Sequence, residues 1–293
     1  LVGPPGAGKT MLAQRLPGIL PSLDAQTALE STAIKSLLGL TSELSLDVPF
    51  VAPHHGATAT ALVGGGATVP KPGLISQAHG GVLFLDEAPE FAPSALDAMR
   101  EPLESGVISI SRAGGTAVFP AQCQLVLAAN PCPCGNRGTR VKDCTCSAGQ
   151  RMRYASRLSG PLLDRFDIRL RVHQATKAER TKSVQDEARL SSQQWRERVV
   201  SARELSKRRL ANTPWELNSQ VSGAYLRRLN RENPEPVRVL DVALTKGNIS
   251  MRGYDRCLRV AWSIADLEGV EKLTASIVGK ALFLRGSEGW AGE

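Results

Sequence analysis

Gly3-Pro4-Pro5-Gly6-Ala7-Gly8-Lys9-Thr10 satisfies G-x-x-x-x-G-K-[ST] at every fixed position. The glycines let successive backbone N–H groups curl around a β-phosphate, a path that side chains would obstruct. A helix beginning near Lys9 adds the positive end of its dipole. Lys9 then reaches toward β- and γ-phosphates, and the Thr10 hydroxyl is a ligand for Mg²⁺. Gly3, Pro4, Pro5, Gly6, Ala7, Gly8, Lys9 and Thr10 are therefore the expected nucleotide cradle. Such a loop is fed by a buried strand of about five residues. Only Leu1 and Val2 precede Gly3, so the expectation is a fragment whose first strand is truncated.

A glycine-rich loop acquires meaning from a partner strand with an acidic end. Val82-Leu83-Phe84-Leu85-Asp86-Glu87 is an apolar run ending in two carboxylates, as a buried parallel strand would read. Asp86 is placed to hold Mg²⁺ through its water shell, and Glu87 to polarise an attacking water. Gln124-Leu125-Val126-Leu127-Ala128-Ala129-Asn130 is a second apolar strand, and it ends in an amide. Asn130 is either a turn residue or a hydrogen-bonding partner of the γ-phosphate or lytic water. Its place after the loop and the acidic strand favours the second. The combination reads as a hydrolysing NTPase site.

Four of the six cysteines follow as two C-x-C pairs, Cys132 and Cys134, then Cys144 and Cys146. Four thiolates at this spacing can hold one tetrahedral structural zinc; the alternative is an open loop with free thiols. Cys123 and Cys257 lie in apolar surroundings and read as core. Further on, Arg165 is flanked by Asp164 and Asp167. It is either a surface ion pair, worth little, or an arginine finger for a neighbouring subunit; Arg157 is a weaker candidate. Val107–Arg112, a turn at Ala113-Gly114-Gly115 and Ala117–Pro120 read as a β-hairpin. His54 and His55 are adjacent and have no carboxylate at metal spacing, which favours a structural or inter-subunit role.

The whole chain has 293 residues, 42% of them hydrophobic, enough for a sizeable core. No apolar run reaches the roughly 18 residues of a membrane span, and no signal peptide is legible. Six cysteines in this length do not make a disulfide scaffold, so the expected class is soluble and cytoplasmic. Residues 1–130 hold 6 Lys/Arg against 10 Asp/Glu, whereas residues 131–293 hold 30 against 18. A basic second half points to a polyanionic partner, nucleic acid above all, or to a solvated helical surface rich in arginine.

The order of Gly3–Thr10, Val82–Glu87, Asn130 and Leu163-Asp164-Arg165-Phe166-Asp167 resembles that of AAA+ ATPases. More narrowly, Ala52-Pro53-His54-His55, Leu62-Val63-Gly64-Gly65-Gly66, Pro72–Ser76, Asn130–Gly135, Ser159–Asp167 and Ser250–Arg256 resemble the Mg-chelatase-like proteins of the YifB/ComM type. The resemblance implies an α/β fold: a P-loop AAA+ core with a parallel sheet and a β-hairpin insert, over 1–175, then a small all-α lid domain within 176–293. It implies ATP and Mg²⁺ as ligands, a homo-oligomer in the form of a hexameric ring, and DNA as the substrate of a branch-migrating helicase. By the same resemblance the hairpin points into the ring pore, making Arg112 a DNA contact; an exposed arginine relieving a hairpin edge is the alternative. From Gln193 the pattern is helical, with Trp195, Val199 and Ala202 on one face. Ser250 can cap a helix on which Tyr254, Leu258, Ala261 and Ala265 align. Arg252 and Arg259 of that helix are alternative second-sensor arginines for the γ-phosphate. Two other functions remain open: a magnesium-chelatase-type motor acting on tetrapyrroles, and a nucleotide-controlled assembly module.

Overall fold

A strand that is apolar at every position has to be covered on both faces. In the computed structural model, Val82, Leu83, Phe84 and Leu85 are all buried to within 1% of full exclusion. The structure describes residues 1–41, 43–66, 68–112, 115–139, 143–175, 190–231 and 234–286. Its strands are β1 (Phe50–Val51), β2 (Gly64–Gly65), β3 (Lys71–Pro72), β4 (Val82–Leu85), β5 (Val107–Arg112), β6 (Gly115–Pro120) and β7 (Gln124–Leu127). β4 is the middle of a parallel sheet of order β1-β4-β7, with Val82 opposite Gln124 and Leu85 opposite Leu127. Val2 continues this arrangement through parallel bridges to Ala129 and to Arg171. The ends of β4 and β7 and the start of the glycine loop thus share one edge of the sheet.

β5 and β6 pair antiparallel, from Val107 opposite Pro120 to Arg112 opposite Gly115. Gly115, expected in the turn, is instead a strand residue; the remaining expected turn positions, 113 and 114, lie outside the described residues. Inward Ile108, Ile110 and Phe119 are buried while Val107 and Val118 are exposed, the alternation of a hairpin with one covered face.

The described residues form two compact units. The first comprises 1–165 and 171–175, the second 166–170 and 190–286. The beginning of the expected linker, 176–189, lies outside the described residues. The second unit is all helical: Ser192–Leu210, Gly223–Leu229, Arg238–Thr245, Met251–Glu268 and Ala275–Gly286. Ser250 caps the fourth of these helices, accepting from the Gly253 N–H at 3.1 Å. Tyr254, Leu258, Ala261 and Ala265 are buried on its core face, as the spacing predicts. The face predicted for Trp195, Val199 and Ala202 is only partly right. Ala202, Ser206 and Leu210 are buried, but Trp195 is 42% exposed and stacks on Arg198. Asp266 accepts from Nη1 and Nη2 of Arg209 and from Asn218 Nδ2, the last at 2.8 Å. Among the described residues no helix is long and apolar enough to cross a membrane.

Candidate nucleotide site

Gly8 closes the glycine loop in the left-handed region (φ 89°) and hands the chain to the Lys9–Arg15 helix. An L side chain there would be strained, so glycine is what lets the loop turn under its own lysine. The Lys9 side chain is buried and folded back over the loop. Its ammonium donates to the Gly3 carbonyl at 2.6 Å, the Pro4 carbonyl at 3.1 Å and Asn130 Oδ1 at 3.1 Å. Burial pushes the Lys9 pKa below its ordinary value, and the carboxylates of Asp86 and Glu87 work in the opposite direction. Thr10 Oγ1 donates to Asp86 Oδ2 at 2.7 Å. Loop, acidic strand end and Asn130 thus converge through direct hydrogen bonds between residues far apart in sequence.

The two oxygens of Thr10 and Asp86 are hard donors in mutual contact, the chemistry that Mg²⁺ takes. The three acceptors on Lys9 are oxygens, so phosphate oxygens can replace them without leaving the ammonium unpaired. The residues present therefore fit a magnesium nucleotide.

Glu87 stands apart in its backbone. It has φ 50° and ψ 43°, the sole positive φ outside glycine among the described residues. Its N–H donates to Asp86 Oδ1 at 3.0 Å, which holds the turn that projects its carboxylate into solvent. His55 Nδ1 lies 3.5 Å from Glu87 Oε2. The two histidines are not in a strand; their rings lie 4.1 Å apart between centroids, tilted by 38°, and His54 Nδ1 accepts from the Gly56 N–H. The His55–Glu87 pair was invisible in the sequence, because nothing in the spacing relates the two positions.

Asn130 is followed by the cysteine loop. Cys132 Sγ lies 3.4 Å from Cys134 Sγ and 3.6 Å from Cys144 Sγ, and Cys134 lies 3.7 Å from Cys144. All four ligand atoms, Cys146 included, fall within 4.8 Å of one another. Tyr154, from the Ala148–Ser156 helix, is buried against the Asn130 backbone. Burial above all, with help from the Glu90 carboxylate, pushes its phenol up to about 12. Arg157 donates to the Pro89 carbonyl and pairs with Glu90, each at 2.9 Å.

Two further candidates belong to the first unit. Arg165, with its side chain 10% exposed, pairs with Glu104 at 2.9 Å and donates to the Pro161 carbonyl at 2.8 Å. It lines an open cavity of about 500 Å³ with Asp97, Arg100, Glu101, Glu104 and Ser105. Arg112 is anchored in its own unit, Nε donating to the Gly66 carbonyl at 2.7 Å and Nη1 to Ser111 at 2.8 Å. In the helical unit, Arg252 is exposed in the first turn of the Met251–Glu268 helix, and Arg259 donates to the Val221 carbonyl at 3.0 Å. Arg256, between them, pairs with Asp167 at 2.8 Å.

Two family models match the chain: magnesium chelatase, subunit ChlI, over residues 1–180, and the C-terminal region of the same subunit over 189–285. An uncharacterized protein of Mycobacterium tuberculosis is 50% identical over 272 residues, covering 92% of this chain and 53% of the relative. Competence protein ComM of Haemophilus influenzae is 43% identical over 289 residues, 97% of this chain and 54% of the relative. YifB of Escherichia coli is 42% identical over 287 residues, with 97% and 55% covered. The chain thus spans about half the length of these relatives.

Proposed function

We propose, from the premise that this chain belongs to the magnesium chelatase subunit ChlI family with its ComM and YifB relatives, that it hydrolyses ATP as part of a ring motor acting on DNA. The observation that carries the nucleotide reading is the contact of Thr10 with Asp86 at 2.7 Å beside the contact of Lys9 with Asn130 at 3.1 Å. Lys9 places one positive charge against the β- and γ-phosphates and releases its loop carbonyls in exchange. Thr10 and Asp86 would hold a magnesium ion, which would supply neutralisation of charge on the phosphate oxygens. Glu87, exposed and aimed outward by its turn, orients the attacking water and takes its proton. Asn130 fixes the terminal phosphate from the side of β7. Arg165 is supplied to the nucleotide of the neighbouring subunit, and Arg252 or Arg259 reports the γ-phosphate to the helical unit. Cys132, Cys134, Cys144 and Cys146 would hold a structural zinc.

The DNA half of the reading rests on two observations. One is the excess of 30 Lys/Arg over 18 Asp/Glu in residues 131–293. The other is kinship with a relative named for competence. The deciding experiment measures ATP turnover of the longer protein with and without single-stranded and branched DNA. Stimulation that falls steeply with salt is expected. Stimulation only by a porphyrin-bearing partner protein would instead favour the chelatase reading that the family description carries. Slow turnover indifferent to both would leave an assembly module.

A further inference from the structure

The cysteine loop does more than lie near the nucleotide site. Gly135, at its first turn, has φ 75° and presses on the glycine loop: a Cβ there would fall 2.6 Å from Pro5 Cδ, 2.7 Å from Pro5 Cγ and 4.0 Å from Asn130 Cγ. The turn is closed by the Gly135 N–H donating to the Cys132 carbonyl at 2.9 Å. The Arg137 and Asn136 N–H groups bond the sulfurs of Cys132 and Cys134. Two residues before Cys132 stands Asn130, the acceptor of Lys9. Beyond Cys146, Ser147 caps the Ala148–Ser156 helix in a capping box with Gln150, and Arg151 reaches back to the Cys146 carbonyl at 2.6 Å. That helix carries Tyr154 to the Asn130 backbone.

We propose that a zinc ion held by Cys132, Cys134, Cys144 and Cys146 is the brace that fixes Asn130 and Pro5 against Lys9, so that ATP turnover depends on its occupancy. The inference rests on the reading of Lys9, Thr10, Asp86 and Asn130 as the nucleotide site. Zn–S bonds of about 2.3 Å set the edges of a tetrahedron at about 3.8 Å. The Sγ separations of 3.4, 3.6 and 3.7 Å are close to that edge. They are far from the roughly 2.05 Å of a disulfide, and all four cysteines are free. The described residues of the loop between Cys134 and Cys144 are Gly135, Asn136, Arg137, Gly138, Thr139 and Asp143, none of which offers an apolar side chain. Val141 is the one apolar side chain in the nine residues between Cys134 and Cys144, too little for a core of its own, so a bound cation is what would give the loop a fixed shape.

The test uses the full chain. Zinc content is measured by elemental analysis, and zinc release is followed as a mercurial titrates the thiols. About one zinc per chain is expected, as for a four-cysteine structural site. Cobalt reconstitution should give the visible bands of a tetrahedral four-thiolate centre. Cys144→Ser should lose the metal and reduce turnover by about 10- to 100-fold, the range that misplacing a positioned group costs. Gly135→Ala keeps all four thiols; it should retain zinc and still weaken binding of a fluorescent ATP analogue by about 10-fold or more. Absence of zinc from active wild-type protein, or a zinc-free Cys144→Ser chain with unchanged turnover and nucleotide affinity, overturns the proposal. If Cys144→Ser does not fold, the mercurial titration of wild type decides: zinc loss without loss of nucleotide binding or turnover also overturns it. Lys9→Ala separates the two readings, since it should abolish nucleotide binding and leave zinc content unchanged. Persistent nucleotide binding in that variant sinks the nucleotide site itself.

Discussion

Lys9 holds three oxygen acceptors, which on the proposed reading a phosphate replaces. Its removal is expected to cost nucleotide binding outright, read as loss of a fluorescent ATP analogue's signal. Glu87→Gln should behave differently. Binding should persist while turnover falls by about 10²–10⁴-fold, the usual worth of a general base. Turnover within about threefold of wild type in an assembled ring would exclude this residue as the base. The glycine loop was legible as a tight turn into a helix, because Gly6 and Gly8 occupy the left-handed region that side chains rarely adopt. Asp86 and Glu87 were legible as the end of a strand, because two carboxylates close a fully apolar run where the chain returns to solvent. His55 beside Glu87 and Glu104 beside Arg165 were not, since each pairing is made by folding between positions that no period connects.

At the scale of single elements, caps decide where helices start. Asp24 accepts from the Thr27 N–H at 2.9 Å and the Thr27 hydroxyl at 2.7 Å, and these bonds hold its carboxyl below the usual carboxylate range. Its contribution is therefore present above the unfolded value of about 3.9 and is lost as pH falls through the lower folded value. Asp24→Ala should cost about 1 kcal/mol in denaturant melts at neutral pH, with the difference narrowing in acid. The strand cores and the Ser250-capped helix could be read from apolar runs and spacing alone. The exposure of Trp195 could not, because periodicity names a face of a helix and not where the neighbouring elements stop covering it. Nor could the strand placement of Gly115, which depends on the register with Arg112.

For the molecule as a whole, each unit has its own points of failure. Asp266 is 5% exposed and is met by Arg209 and Asn218, while Arg209 also covers the Trp262 ring at 4.3 Å. Asp266→Ala leaves the partly buried Arg209 guanidinium without its carboxylate and should destabilise the helical unit by about 3 kcal/mol in a chemical melt. Nucleotide affinity is the control that should move far less. A final consequence belongs to Glu87. A glutamate held at φ 50° carries about 1–3 kcal/mol of backbone strain, in a conformation glycine enters freely. Glycine would give back roughly 0.5–1 kcal/mol through its looser unfolded chain. Glu87→Gly is therefore expected to raise the thermal midpoint by about 1–3 °C while silencing catalysis. At this one dihedral, durability has been surrendered to hold a carboxylate out in solvent.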